Sequence, residues 1–202
     1  MTKERVLFWA LRIPRAQALA QVEPLARVLG GEERAAEGFR RTRPEGWHVT
    51  LFYMGAVPPS RVSELCNRME AHFGALKLEA IDFEWSGTGA FPARGRERVL
   101  WLGVRERGER SGRLAELQRA VVAGLAAFGW DVGGNETPFR PHVTVARPRR
   151  GGGAPEIASA FYEFAPKASF ECPVVELMES VRGAEVARYE TVFRLPLHPR
   201  GS

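Results

Sequence analysis

Cysteine is scarce in this 202-residue chain. Cys66 and Cys172 stand far apart, outside any Cys-x-x-Cys or Cys/His spacing. A structural zinc site takes about four ligands, so none is indicated, and the two thiols read as buried core residues. Long apolar runs are also missing. No stretch approaches the roughly 20 residues that span a bilayer, and Met1-Thr-Lys-Glu-Arg5 leads into only a short apolar segment, without a signal-peptide core or cleavage site. A membrane protein is excluded on this reading, and the cytoplasm is the expected location. Lysine occurs only at Lys3, Lys77 and Lys167, so the net charge of +5 is carried almost wholly by arginine. A GC-rich coding bias gives the same excess, and charge alone points only weakly to a polyanion. Local clusters say more. Arg40, Arg41 and Arg43 precede His48, and Arg140, Arg147, Arg149 and Arg150 surround His142.

What is present is a pattern written twice. Val6–Ile13 reads as a strand, and Pro14–Leu29 as a helix that Pro24 kinks or splits. Trp47–Met54 is a strand, Pro58–Phe73 a helix with Ser60 as its expected N-cap, and Leu76–Trp85 an alternating strand. The order then recurs with strand Val99–Arg105, helix Ser111–Phe128, strand His142–Ala146, a short helix within Pro155–Phe164, and strands Ser169–Ser180 and Ala184–Leu195. Val6-Leu-Phe-Trp-Ala-Leu-Arg12 resembles Val99-Leu-Trp-Leu-Gly-Val-Arg105, and His48-Val-Thr-Leu51 resembles His142-Val-Thr-Val145. Two copies are too few for a solenoid. The expected fold is α+β: two pseudo-symmetric lobes, each a mostly antiparallel sheet with helices outside, facing across a central cleft. Residues 1–202 are read as one domain with lobes at about 1–90 and 91–202, strands being free to exchange between them. Gly87–Arg98 is the expected junction.

In a strand, residues two apart share a face. His48 and Thr50 therefore project together, with Val49 and Leu51 toward the core, and His142 and Thr144 repeat the arrangement. A lone His-x-Thr is usually an ordinary sheet residue. Two copies in matching strands of a repeat, using two of the chain's four histidines, mark a site. Hydrolysis of a cyclic phosphodiester needs a base for water, an acid for the departing oxygen and donors for the phosphate oxygens. Two imidazoles and two hydroxyls supply these. Arg147 falls on the opposite face of a straight strand, and reaches the site only if the strand bends or ends near Ala146. There its guanidinium would clamp a phosphate. No carboxylate or thiol accompanies the histidines at ligand spacing, so neither metal nor cofactor is expected. Arginines near His142 lower its pKa, which favours it as the base and His48 as the acid. His72 and His198 are read as solvated.

These motifs resemble the two-histidine (2H) phosphoesterases. More closely, the chain resembles the bacterial and archaeal RNA 2',3'-cyclic phosphodiesterases, long called 2'-5' RNA ligases. The likeness runs through Arg5-Val-Leu-Phe-Trp-Ala-Leu11, Trp47-His-Val-Thr-Leu-Phe-Tyr-Met-Gly55, Gly89-Ala-Phe-Pro92, Arg98-Val-Leu-Trp-Leu-Gly103, Phe139-Arg-Pro-His-Val-Thr-Val-Ala-Arg147, and Leu177-Met-Glu-Ser180 with Tyr189. Phe52-Tyr53-Met54 departs from the Lys-Phe-Leu-like run common there. The resemblance implies catalytic His48 and His142, phosphate-binding Thr50, Thr144 and Arg147, and no metal. It implies cleavage of the bond to the 3' oxygen, leaving a 2'-phosphate, and a partner RNA bearing a 2',3'-cyclic phosphate end, with tRNA halves and small cyclic nucleotides among the candidates. Two alternatives stand beside hydrolysis: the reverse joining reaction, and RNA-end binding without turnover. A monomer is expected, because one chain supplies both motifs.

Overall fold

The computed structural model describes residues 3–29, 31, 39–92, 98–108, 112–133, 138–148, 159–181 and 188–200. The strands are β1 (Arg5–Arg12), β2 (Phe39–Arg41), β3 (His48–Val57), β4 (Ile81–Phe91), β5 (Val99–Glu106), β6 (His142–Pro148), β7 (Ser169–Cys172), β8 (Val174–Val181) and β9 (Arg188–Pro196). The helices are α1 (Arg15–Leu19), α2 (Val22–Val28), α3 (Pro59–Gly74), α4 (Arg113–Ala127) and α5 (Ser159–Glu163), with a 3-10 turn at Pro44–Gly46. Arg149 and Arg150, and the Pro155–Ala158 part of the expected short helix, lie outside the described residues.

The fold is α+β with antiparallel pairing throughout the named strands. All nine strands join one sheet in the order β7-β4-β5-β6-β3-β1-β8-β9, with β2 added to β6. The two expected sheets are its halves, β7-β4-β5-β6 and β3-β1-β8-β9. They meet at one paired position, Val49 opposite Val143. Sequence halves and sheet halves differ: β4 pairs with β5, and β8 pairs with β1. The sheet must also curl tightly. β7 is one end of the order and β8 lies near the other, yet only Pro173 separates them, and a residue spans at most about 3.6 Å. The ends are stitched further, since the Ala80 N–H donates to the His198 carbonyl and the His198 N–H to that of Leu78. One face of the sheet carries the main core, which includes Trp9, Leu11, Trp47, Val49, Phe83, Leu102, Val143 and Leu177 with helix residues such as Met69 and Leu117. Across the sheet, Phe8, Ala10 and Met178 form a second small cluster with Tyr189 packed on it.

Four elements differ from the sequence reading. Helix α3 is capped by Pro58, with Pro59 as its first residue, so Ser60 lies inside the first turn and is not the N-cap. The Pro14–Leu29 helix divides at Ala20–Gln21, ahead of Pro24, which sits in the first turn of α2 where its missing N–H costs no helical bond. The Ser169–Ser180 strand breaks at Pro173, where the chain passes between the sheet's ends. The stretch expected as a lobe junction is strand as far as Phe91. Its Ser-Gly-Thr-Gly composition suggests a loop, but Gly87 (φ +92°) lies in a bulge and Gly89 makes room for Trp101. A Cβ on Gly89 would lie 2.1 Å from the Trp101 ring.

Candidate functional site

The site grows out of the single β3–β6 contact. With Val49 opposite Val143 in antiparallel register, the next residues along each strand bring His48 toward Thr144 and Thr50 toward His142. Val49 and Val143 point into the core, so these four polar side chains share the other face, all half-buried. A local pseudo-twofold axis passes between the two valines. The expected quartet is brought together by sheet hydrogen bonding, and no loop is needed to deliver it.

Both imidazoles are anchored alike. His48 Nδ1 lies 2.6 Å from the Gly46 carbonyl, and His142 Nδ1 lies 2.7 Å from that of Arg140. A carbonyl only accepts, so Nδ1 carries the hydrogen in each ring. Nε2 is left bare when the ring is neutral and becomes a donor when it is charged. Each ring also rests on two aromatics: Phe8 (centroids 4.7 Å apart) and Tyr189 (4.9 Å) at His48, Phe91 (5.0 Å) and Trp101 (6.2 Å) at His142.

Burial pushes His48 down to about 4, against the Gly46 hydrogen bond and with help from Arg12 and His142, while Glu176 opposes. His142 is lowered by burial and, after the opposing Arg140 hydrogen bond, by the Arg147 charge. The one-sided charge on which the sequence reading assigned base and acid is therefore not one-sided. Arg12 acts on His48 as Arg147 acts on His142.

Arg147 reaches the site face by a device the sequence did not reveal. β6 does not end at Ala146. Instead, Leu100 pairs with Ala146 and Trp101 with Thr144, so Val145 is an extra residue, and Val145 and Ala146 both point into the core. The bulge shifts the alternation by one, and Arg147 emerges exposed on the face of His142 and Thr144. Arg140 is also exposed, beside the cleft at His142.

Sequence reasoning missed the network beside His48. Arg12 is directly opposite His48 on β1. It donates through Nε to the buried Glu176 (2.9 Å), through Nη2 to Thr191 (2.9 Å), and through Nη1 to the Glu45 carbonyl. Thr191 and Arg194 complete the contacts of Glu176. The equivalent of Arg12 in the other half is Gly103, opposite His142, and not the Arg105 suggested by similarity of the two strands. His72 is likewise not a solvated residue. It bonds the Ala120 carbonyl at 3.0 Å and packs against Phe73 and Phe128 between α3 and α4. Cys66 and Cys172 are buried as expected, and burial raises both thiols, Cys172 to about 12. Among the described residues no group of three or more His, Cys, Asp or Glu is arranged to hold a metal ion, and no helix is long and apolar enough to cross a membrane.

This fold occurs in known structures. A crystal structure from Thermus thermophilus superposes with a TM-score of 0.76 at 22% identity, covering 96% of this chain and 99% of that one. Escherichia coli LigT complexed with 3'-AMP gives 0.71 at 19%, covering 96% and 99%. The chain thus has the LigT-like fold. The family model of the 2'-5' RNA ligase superfamily matches residues 14–184, and the chain belongs to that superfamily. Its relatives include proteins named RNA 2',3'-cyclic phosphodiesterase. That of Geobacillus stearothermophilus is 33% identical over 155 residues, 76% of this chain and 46% of the relative. That of Archaeoglobus fulgidus is 29% identical over 154 residues, 76% and 78%. That of T. thermophilus is 34% identical over 148 residues, 70% and 67%. The match thus spans less than half of the Geobacillus protein.

Proposed function

We propose that this protein is a metal-independent RNA 2',3'-cyclic phosphodiesterase, acting as a monomer in one domain whose lobes are the two sheet halves. The observation that carries the reading is the twofold quartet: two imidazoles with Nδ1 tied to backbone carbonyls and Nε2 without a hydrogen-bond partner among the described residues, each across from a threonine hydroxyl. The names of the relatives point to the same substrate. In the proposed reaction, one neutral Nε2 takes a proton from water as its oxygen bonds phosphorus. The P–O3' bond breaks, and the other imidazolium gives its Nε2 proton to the 3' oxygen. The product is a 2'-phosphate beside a free 3'-hydroxyl. Thr50 and Thr144 donate to the non-bridging oxygens, and Arg147 offsets the charge that builds on them. Every proton transfer is assigned to a side chain.

The test is incubation of an oligonucleotide bearing a 2',3'-cyclic phosphate with the protein in EDTA. Conversion to the 2'-phosphate is expected. A joined product would indicate the reverse reaction as the main activity, and bound but unchanged RNA would refute turnover. His48→Ala and His142→Ala are each expected to slow turnover by at least about 10²-fold. Thr50→Val and Thr144→Val should cost less, each removing one neutral hydrogen bond. Near-normal turnover in either histidine variant would rule out the two-imidazole mechanism.

A further inference from the structure

The quartet is nearly twofold symmetric, but its surroundings are not. The offset that carries His48 to His142 also carries Gly46 to Arg140, whose carbonyls hold the two rings, and Thr50 to Thr144. It carries the bulge at Leu51–Phe52 on β3 to that at Val145–Ala146 on β6. The next residues out are Tyr53 and Arg147, and the bulges turn both to the site face. Tyr53 has Phe8 across the sheet, whereas Arg147 has Arg40. One end of the site is thus uncharged, and the other carries two cations.

Cross-strand partners project from the same face of a sheet, so Arg40 stands beside Arg147. Burial agrees: Phe39, the residue before it on β2, is in the core, and Arg40 is exposed. Like charges directly opposite one another cost stability. Among the described residues no carboxylate pairs with either guanidinium to offset that cost. Arg147 lies three residues beyond Thr144, roughly 7–10 Å along the strand once the bulge is allowed for, and Arg40 about 5 Å to its side. With Arg147 turned to the reacting phosphate, Arg40 remains as a second planar fork of donors suited to another. An RNA end supplies one. Past the reacting ring the chain continues in one direction only, through the 5' oxygen and its phosphate. A second anion therefore lies on one side of the cyclic phosphate and none on the other, which is the asymmetry of charge that the site shows.

We infer that Arg40, beside Arg147, seats the phosphate on the 5' oxygen of the nucleoside whose cyclic phosphate is opened. A phosphate contact positions the strand and carries no sequence information, so the seat favours a polynucleotide end over a free nucleoside whatever the base. The inference rests on the hydrolase reading for its choice of ligand.

The experiment compares adenosine 2',3'-cyclic phosphate with the same compound phosphorylated on its 5' oxygen and with the adenylyl dinucleotide that ends in it. All three bring the same base and the same cyclic phosphate, and differ only upstream. The intact protein is expected to favour both upstream-phosphate substrates by roughly tenfold in kcat/KM, mostly through KM, the scale of one charge-assisted hydrogen bond at an exposed site. Arg40→Gln brings both ratios close to one, and Arg40→Lys keeps part of them, since an ammonium lacks the fork. Arg41→Gln keeps them, because its partner across the sheet, Ala146, points into the core. Equal use of the three substrates by the intact protein, an Arg40→Gln loss identical for all three, or an equal collapse of the ratios in Arg41→Gln would overturn the seat. If no cyclic phosphate is turned over, the hydrolase reading fails, and calorimetry with adenosine 2',5'-bisphosphate against adenosine 2'-monophosphate decides the seat separately. Tighter binding of the bisphosphate, lost in Arg40→Gln, supports it; equal binding refutes it. Because Arg40 is exposed and faces a like charge, the glutamine variant is expected to fold normally.

Discussion

At the scale of single residues, His48 is held by a relay that begins two strands away. Glu176 on β8 fixes Arg12, Arg12 binds the Glu45 carbonyl, and the adjacent Gly46 carbonyl orients the imidazole. Arg12 is thus a positioning residue whose charge also depresses His48. Arg12→Met should lower kcat about tenfold and move upward whichever limb of the pH–rate profile reports His48, because removing the cation lets His48 hold its proton to higher pH. Arg12→Lys should restore the limb better than the rate, since an ammonium cannot span all three acceptors. A fall in rate with an unmoved limb would reduce Arg12 to a structural role. Stability should drop on the order of 2 kcal/mol, a value discounted because Arg12 and Arg194 remain partly exposed. His48 also makes folding sensitive to acid. Its folded value of about 4 lies below the unfolded value near 6.5, so the unfolded chain binds more protons between these limits, and stability falls as pH drops through that window. The loss attributable to His48 approaches roughly 3 kcal/mol. Urea unfolding of the intact protein and His48→Gln at pH values of about 7 and 4.5 isolates it. The intact protein should lose more stability, and equal losses would contradict the burial of this imidazole.

At the scale of elements, two β-bulges decide what the site contains. Alternation read along an unbroken strand puts Tyr53 and Arg147 on the core side. The extra residues Leu51 and Val145 reverse both. Nothing in His-Val-Thr-Leu-Phe-Tyr or His-Val-Thr-Val-Ala-Arg announces a bulge, because runs of apolar residues fit a straight, doubly buried strand equally well. Hydrogen bonding to β1 and β5 creates the irregularity. β4 shows the same limit. Gly89 reads as a loop glycine, yet it is where the Trp101 ring crosses the strand beneath His142. Gly89→Ala should therefore displace Trp101, costing about 1–3 kcal/mol of stability from overpacking. It should lower turnover as His142 loses its backing. Pairing it with Trp101→Leu should recover stability without restoring turnover. If Gly89→Ala leaves stability unchanged in thermal unfolding, the close approach of Trp101 is wrong.

At the scale of the whole molecule, the site has a polarity that composition conceals. Arg40 and Arg41 on β2, Arg43, Arg140 and Arg147 carry no ion pair among the described residues, whereas Arg5, Arg12, Arg68, Arg105 and Arg113 each do. Arg40 even stands directly opposite Arg147, an arrangement that repels unless an anion lies between. Binding of a cyclic-phosphate oligonucleotide should accordingly weaken about tenfold between roughly 50 and 200 mM salt, as expected when about two or three phosphates of a single strand are neutralised. A mononucleotide should show a shallower slope. Equal slopes, measured by fluorescence anisotropy and calorimetry, would mean that the arginine rim does not touch the chain upstream.

Much of this was legible from local pattern alone. The doubled His-x-Thr strands, the valines that alternate with them, and the helical stripes of α3 and α4 follow from periodicities of 2 and 3.6, which burial of one face imposes on any sequence. The quartet His48, Thr50, His142 and Thr144 is therefore written in the chain. Which residues surround it is not. That β4 joins β5 and β8 joins β1, that Arg12 faces His48 while Gly103 faces His142, and that Tyr53 and Arg147 turn toward the site were decided by strand register. Register is a long-range property. It is set by which strands find each other when the sheet curls, and a shift of one residue exchanges the two faces of a strand without changing a letter of its sequence.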